Sequence, residues 1–483
     1  MLAYIWLSCY LFGQIPAAPV AAPAIDKKAI VSALESVVAD SIEMAQESVV
    51  AISPIRRTGG SVTNAVKGKT APIAADFRPM TGVFDPMSQD FQSFDYGSGV
   101  VIGPQGQILT AFHIVQGSDL ILVRAAKHQE FYAEVIASDP RSDLAVIVPK
   151  TLPVNGIGKP PVLKPIKLGN SDKLRLGSFL VALGNPFNSA KDGQSSAAFG
   201  ILSNRARRLD LNIEEGVTGR QLRHLPTLLQ LDSKLNLGMS GGALVNMMGE
   251  LVGLTTTGGN PQSFDAQAGY AIPIDALTRR SIASLIEGRS VEYGFLGVSL
   301  NASGNNVING VSPATPAAKA GLMSQDEIIA VGDFPITDGD TLVLAVNSLP
   351  VETPVKIRIR RDGREITKDL ILAKFPVTGE VIATNKPVPW RGIEVDYPSV
   401  GAINQGPLAE LPLLRTGQPD HDGVLVTRVE QDSPAFGLLK IGTLIVSVND
   451  KPVKSPREFR DAVENLKGQV RLKTPDSDFE IPE

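Results

Sequence analysis

The sequence predicts a mainly β chain of several domains, and three observations carry that expectation. Glycine and proline are plentiful (45 and 35) and aromatic residues make up only 5% of the chain, as expected of short strands joined by many turns. Apolar runs of strand length recur, among them Gly99-Val100-Val101-Ile102, Ile108 to Val115 and Leu144 to Val148. The last third of the chain repeats itself. A length of 483 residues accommodates roughly three domains by the usual size prior.

Taken in order, the chain opens on an apolar run, Met1 to Gly13, followed by Pro16 to Ala24, which is rich in alanine and proline. The run has the length of a signal core, is too short for a membrane span, and lacks a basic segment before it; residues 1–24 are read as a signal peptide of an exported protein. Ile30, Leu34, Val37, Val38, Ile42 and Met44 then give Asp26 to Gln46 a helical pattern, and Glu47 to Ile52 reads as the first strand. Arg56 to Tyr96 is a long stretch of Gly, Pro, Ser, Thr and Asp, either a functional loop or plain disorder.

Chemistry enters at three points. The strand pair joined by Gln105-Gly106 ends in Ala111-Phe112-His113, so one of only four histidines sits at a strand end. Thirty residues on, Ser138-Asp139-Pro140-Arg141-Ser142-Asp143 leads into the wholly apolar strand Leu144 to Val148. A carboxylate at the mouth of a buried strand is costly unless it is hydrogen-bonded, and a His Nδ1–H is a natural partner. Further on, Asn236-Leu237-Gly238-Met239-Ser240-Gly241-Gly242 reads as a tight turn around a serine nucleophile. Gly238 lets the backbone turn without a Cβ penalty, so the N–H groups of Gly238 and Ser240 can converge on an oxyanion. Serine is a poor nucleophile without a base held by a third group. His113, Asp143 and Ser240, in that order, supply the nucleophile, the base and the group that orients it; an ordinary glycine-rich hairpin is the alternative for the turn taken alone.

These residues lie in longer motifs that resemble the HtrA (DegP/DegQ/DegS-like) serine proteases over nearly the whole chain. Gly97-Ser98-Gly99-Val100-Val101-Ile102 with Ile108 to Val115 is similar to the family's histidine strand, and Asp139 to Val146 to its aspartate segment. Leu183 to Phe187, Gly200 to Ser203, Gln230 to Thr255 and Gly269 to Ile274 are similar to its later motifs. The resemblance implies a chymotrypsin-like double antiparallel β-barrel over residues 25–288, with the site between the barrels, followed by two PDZ domains at 289–375 and 385–483. It also implies assembly as a trimer or a multiple of trimers, and it makes the 56–96 loop a candidate for subunit contacts or gating. The chain departs from the family at Leu237 (usually Pro), Met239 (usually Asn) and Ala243 (usually Pro). The segment is thereby more apolar, and a less rigid turn is expected; restoring Asn at 239 is expected to raise activity or leave it unchanged. Ser233 to Leu237 and Thr255 to Gly258 should line the specificity pocket; being small or apolar, they predict small or medium aliphatic side chains before the scissile bond.

The repeat begins with Phe295-Leu296-Gly297-Val298 in its first copy and Trp390-Arg391-Gly392 in its second, which carries an insertion near Pro398 to Asp422. By resemblance these loops capture a peptide's terminal carboxylate while the peptide adds as a strand. Leu296 and Val298 are expected to form an apolar rim, so the first copy should prefer a free C-terminus with an apolar last residue.

Net charge is −4, from 46 Lys+Arg against 50 Asp+Glu, which gives no electrostatic footprint for nucleic acid. Cys9 is the only cysteine, so disulfides within the chain are excluded, and the four histidines lack metal-ligand spacing. Neither metal nor cofactor is expected. The leading reading is an exported, ATP-independent serine endopeptidase acting on unfolded or damaged polypeptides, with modules that bind free protein C-termini. The rivals are a non-proteolytic PDZ chaperone or scaffold, and a regulatory protease that cuts one specific partner.

Overall fold

The structure is a computed structural model that describes residues 26–55, 96–118, 120–150, 161–186, 193–207, 227–256, 268–300, 304–313, 315–376, 381–401 and 422–483. The expected signal segment, the loop up to residue 95, Phe187, residues 257–258 and most of the expected insertion lie outside them.

Helix α1 (Lys27–Gln46) starts at Asp26, whose side chain accepts from the N–H groups of Lys28 and Ala29. Strands β1 (Val49–Ile55), β2 (Gly97–Val101), β3 (Ile108–Ala111), β4 (Leu120–Ala125), β5 (Gln129–Asp139) and β6 (Leu144–Pro149) close into a barrel in the order β1-β2-β3-β6-β5-β4. Helix α2 (Phe112–Val115) follows β3 directly. Strands β7 (Phe179–Gly184), β8 (Ser196–Arg207), β9 (Leu228–Leu231), β10 (Ala243–Asn246), β11 (Leu251–Thr256) and β12 (Gly269–Pro273) close a second barrel with the same connectivity. This is the double barrel that the family resemblance implies.

The two-residue period of a strand explains why its strands are apolar on both faces. Val50, Val101, Ile108, Ala145 and Ile147 fill the first barrel. Their neighbours Val49, Val100, Leu109, Leu144 and Val146 point the other way, into a core shared between the barrels. The second barrel does the same: Leu180, Ala182, Leu244 and Val252 face inward, while Val181, Leu183, Val245 and Leu251 enter the shared core. Both barrels are thereby welded along the strands that carry the site.

Helix α3 (Ala276–Ile286), capped by the Asp275 side chain on the Thr278 N–H, packs Ile282 and Leu285 into that shared core. The first module then contributes β13 (Gly294–Phe295), β14 (Val298–Leu300), β15 (Ile308–Val311), α4 (Pro316–Lys319), β16 (Glu327–Val331), β17 (Phe334–Pro335), α5 (Gly339–Ser348), β18 (Pro354–Arg361), β19 (Arg364–Ile371) and β20 (Ala373–Lys374). Its core includes Leu296, Ile308, Ile328, Leu342, Ala345, Ile357 and Ile359. The second copy has β21 (Ile393–Asp396), β22 (Val424–Val429), β23 (Leu444–Ile445), β24 (Ser447–Val448), β25 (Lys451–Pro452), α6 (Pro456–Val463), β26 (Val470–Lys473) and β27 (Asp478–Ile481), with a core of its own around Phe459. The repeat is visible in matching details. Gly297 sits at φ +87° against Thr315, and Gly392 at φ +79° against Ser433; a Cβ on either glycine would lie 2.2 or 2.1 Å from its partner. Their carbonyls accept from Ser312 and Glu430 N–H at 2.9 and 3.0 Å.

Candidate active site

His113 stands on α2, the single turn into which β3 runs, and Asp143 stands at the end of the loop after β5. The His113 N–H donates to Asp143 Oδ1 at 2.9 Å, and His113 Nδ1 lies 2.7 Å from Asp143 Oδ2. The Phe112 N–H donates to the Asp143 carbonyl at 2.9 Å. A carboxylate can only accept, so Nδ1 carries the proton and the opposite ring nitrogen is left as the basic one. The Asp143 side chain is 3% exposed and that of His113 25%, which suits a buried orienting group beside a base that must meet substrate. Asp143 holds φ +57°, a left-handed conformation that costs about 1–3 kcal/mol in a non-glycine residue and persists where surroundings over-determine it. The three bonds to residues 112 and 113 are part of that constraint.

Ser240 is 4% exposed, in the turn before β10. Its carbonyl accepts the Ser98 N–H from β2 at 2.8 Å, a link from one barrel to the other. A Cβ on Gly241 would fall 2.2 Å from the Ser98 carbonyl, 2.6 Å from Thr110 Oγ1 and 3.1 Å from Ile114 Cδ1. Only glycine lets the serine turn approach β2, β3 and the His113 helix this closely. His113 and Asp143 are thus in direct contact, and the Ser240 turn is docked on the strand and helix that bear His113.

The turn is tightly held. Met239 N–H donates to Asn236 O (3.1 Å), Gly241 N–H to Thr255 O (2.7 Å), Gly242 N–H to Met239 O (3.0 Å) and Thr255 N–H to Gly242 O (2.9 Å). Thr255 Oγ1 donates to the Met239 carbonyl as well. Gly238 takes φ +94°, and its carbonyl accepts from Ser98 Oγ at 2.8 Å. The looser turn expected from Leu237 and Met239 is therefore corrected. Met239 is 2% exposed and packs inside the second barrel with Leu180, Leu229, Leu231, Leu244 and Val252, so the apolar residue anchors the turn. Leu237 is 61% exposed and bears no such load, and Ala243 is fully buried in β10.

Sequence reasoning passed over Ser98, noticed only as part of a motif. Its N–H, Oγ and carbonyl bind Ser240, Gly238 and Thr110 Oγ1, and its Oγ also accepts the Asn185 N–H at 2.8 Å. A serine between two glycines, whose bare backbones admit close neighbours, was the available signal. Of the expected specificity segments, Leu235 packs into the second barrel and Thr255 and Thr256 are buried.

In the first module the Leu296 and Gly297 carbonyls turn inward, to Ala317 and Ser312 N–H at 2.9 Å each. Among the described residues β14 pairs only with β15, and Gly339 at the start of α5 lies against Leu300 at the end of β14. Phe295 and Leu296 are 7% and 3% exposed; Leu296 packs in the module core, Phe295 sits edge-on to Phe375 at 5.7 Å, and the rim is left to half-buried Val298. In the second copy Trp390 packs edge-on against Phe459 at 6.1 Å. Arg391 lies over the Trp390 ring and donates to the Ile481 and Pro482 carbonyls at 2.9 and 2.7 Å.

Comparison with known proteins gives consistent findings. Residues 97–254 match the trypsin-like peptidase domain and residues 294–372 the PDZ domain. The chain is 30% identical over 400 residues to the periplasmic serine endoprotease DegP of Salmonella typhimurium, spanning 80% of this chain and 75% of that one. It is 29% identical over 391 residues to DegP of Escherichia coli K12 (78% and 73%), and 26% identical over 454 residues to the probable periplasmic DegP-like endoprotease of Rickettsia conorii (89% and 84%). Among solved structures, the HtrA-type protease AlgW with a tripeptide aligns with a TM-score of 0.50 over 70% of this chain and 97% of that one, at 24% identity, which speaks for the fold.

Proposed function

Because the chain belongs to the HtrA-type family of DegP-like serine endoproteases, we propose that its peptide-bond hydrolysis is carried by His113, Asp143 and Ser240. Ser240 Oγ attacks the scissile carbonyl. The imidazole of His113 takes the proton through Nε2 and returns it to the leaving amine; water, activated by the same base, then releases the acyl group. Asp143 fixes the tautomer through Nδ1–H and stabilises the imidazolium. The N–H groups of Gly238 and Ser240 receive the oxyanion. The carrying observation is the double hydrogen bond from His113 to Asp143, at 2.9 and 2.7 Å, with the serine turn docked on the same strands.

We further assign residues 25–288 to the protease unit and 289–375 and 385–483 to two peptide-binding modules. The first module receives free C-termini at the Phe295-Leu296-Gly297-Val298 loop, the peptide adding along β14. In the second, the Arg391 guanidinium is spent on the module's own backbone, which favours a structural use of Trp390-Arg391-Gly392. The substrates are unfolded or damaged polypeptides, the assembly is a homo-oligomer built from trimers, and the location is the cell envelope. The relatives' names and the resemblance support these assignments. The buried anchoring of Met239 speaks against a non-proteolytic scaffold, whose main argument was a loosened turn. The test is digestion of a denatured model protein by wild type beside Ser240→Ala. Cleavage should fall by roughly 10⁴-fold or more in the variant, since the triad acts as a unit; equal turnover would overturn the assignment.

A further inference from the structure

The loop that ends in Asp143 makes a second set of contacts, away from His113. Arg141 is 6% exposed, and its guanidinium carbon lies 3.5 Å from the centre of the Phe375 ring and 5.0 Å from that of Tyr293. Its Nη2 donates to Asn347 Oδ1, at the end of α5, at 3.2 Å. Among the described residues its Nε finds no acceptor. A guanidinium withdrawn from water in this way is costly, and burial pulls its pKa down to about 10. The cation–π contacts with the two rings, together with the bond to Asn347, offset part of that cost.

The neighbours of Arg141 complete a joint. Asp139 accepts from the Arg141 and Ser142 N–H groups at 3.3 and 3.2 Å, and from the Ser142 and Tyr293 hydroxyls. Arg280 of α3 donates to the Asn347 and Ser348 carbonyls at 2.6 and 2.5 Å. The segment after the first module returns to the barrel. Ser138 N–H donates to Ile382 O at 2.9 Å, Ile382 N–H to Ser138 Oγ at 3.0 Å, and Thr384 N–H to Ile136 O at 3.0 Å. The stretch from Ile136 to Ser142 is thus held between the first module and the chain that leaves it, and it delivers Asp143 in a left-handed conformation that needs such bracing.

Resting on the triad reading above, we propose that Arg141 is a positioning residue for Asp143: clasped between Tyr293 and Phe375, it makes the docked first module part of what sets the His113–Asp143 hydrogen bond. The module then serves the barrel's chemistry through its attachment, whether or not its peptide groove is filled.

The experiment uses the full chain and a short chromogenic peptide that exposes no C-terminal carboxylate. The variants are Arg141→Ala, Arg141→Lys and Phe375→Leu. The readouts are kcat, KM and the far-downfield Nδ1 proton resonance of His113, which reports the bond to Asp143 without turnover. Arg141→Ala should lower kcat tenfold or more, with KM within twofold, and should shift or broaden the resonance. Arg141→Lys should not rescue, because an ammonium lacks the plane that stacks. Phe375→Leu should move both readouts the same way, and it decides the matter if Arg141→Ala does not fold. Unchanged kcat and resonance in folded Arg141→Ala, with or without a lower Tm, would overturn the proposal. A wild type that hydrolyses nothing would sink the protease reading, while the resonance would still decide the role of Arg141.

Discussion

Met239 offers the sharpest separation between what the sequence suggests and what the structure requires. The substitution is Met239→Asn, the residue the family usually carries. Met239 is 2% exposed among Leu180, Leu229, Leu231, Leu244 and Val252, and its own Cα lies against Gly184. Full burial of a methionine side chain is worth about 1.5–3 kcal/mol, and that contribution is lost. An amide placed in the same apolar site finds no partner among those neighbours, which costs about 1–3 kcal/mol more. The expected loss is roughly 3–5 kcal/mol. At about 2–4 °C per kcal/mol for a domain of this size, the protease transition should fall by roughly 6–20 °C. Hydrolysis should fall too, since the amide would pull the turn bearing Gly238 and Ser240 out of register. Thermal melts and peptide turnover on the full chain check both, with Met239→Leu as a control that should cost less than about 1.5 kcal/mol. An Asn variant with an unchanged midpoint and equal or higher activity would refute this reasoning and restore the expectation drawn from the family pattern.

Four further outcomes are expected. Asp143→Asn should keep the fold but lower kcat by about 10⁴, with KM little changed, because the amide favours the wrong tautomer of His113; a loss under tenfold would contradict its role. Gly238→Ala should cost about 1–3 kcal/mol and most of the activity, since the residue holds φ +94° and a Cβ would meet Asn185 O at 2.4 Å and the Tyr96 ring at 2.6 Å; wild-type melting and turnover would argue against that geometry. Burial pushes the Asp139 carboxyl above its ordinary 3.8, against hydrogen bonds from Ser142, Tyr293 and the Arg141 amide that pull it down. The folded chain then binds that proton more tightly than the unfolded chain, so this contribution is whole below 3.8 and is lost as pH rises through the raised value. Asp139→Asn should accordingly gain on wild type as pH rises from about 4, and parallel melting curves would count against it. Full-length Ser240→Ala should bind a peptide with a free, apolar C-terminus at least tenfold more tightly than its amide, by calorimetry; equal affinities would remove carboxylate capture.

Individual strands and the order His113, Asp143, Ser240 were legible because they rest on local signals, whereas the closure into two barrels was implied by the family resemblance. Short, continuous apolar runs bounded by turn residues predict buried strands, and a histidine or aspartate at a strand end stands out against apolar surroundings. Helix α3 was equally legible in principle, from the Asp275 cap and the Ile282–Leu285 spacing. What stayed hidden was set by tertiary packing. No periodicity says whether a turn residue such as Met239 points outward or into a barrel. Ser98 is ordinary until the second barrel comes within hydrogen-bonding reach of it. Arg141 looks like a solvated loop residue, yet its partners Tyr293, Asn347 and Phe375 lie more than 150 residues away in the chain. The return of residues 382–384 to β5 is equally non-local. Asp143 at φ +57° illustrates the same point, since a strained backbone is chosen by its surroundings and not by the residue itself.

The most direct measurement is covalent trapping of the nucleophile. The full-length protein is treated with a fluorophosphonate, and the modified residue is located by peptide mass spectrometry, alongside His113→Ala and Ser240→Ala. The account predicts one adduct, on Ser240, formed rapidly in wild type, slowed by orders of magnitude without His113 and absent from Ser240→Ala. An adduct on another serine, or labelling of Ser240 at the same rate without His113, would contradict it.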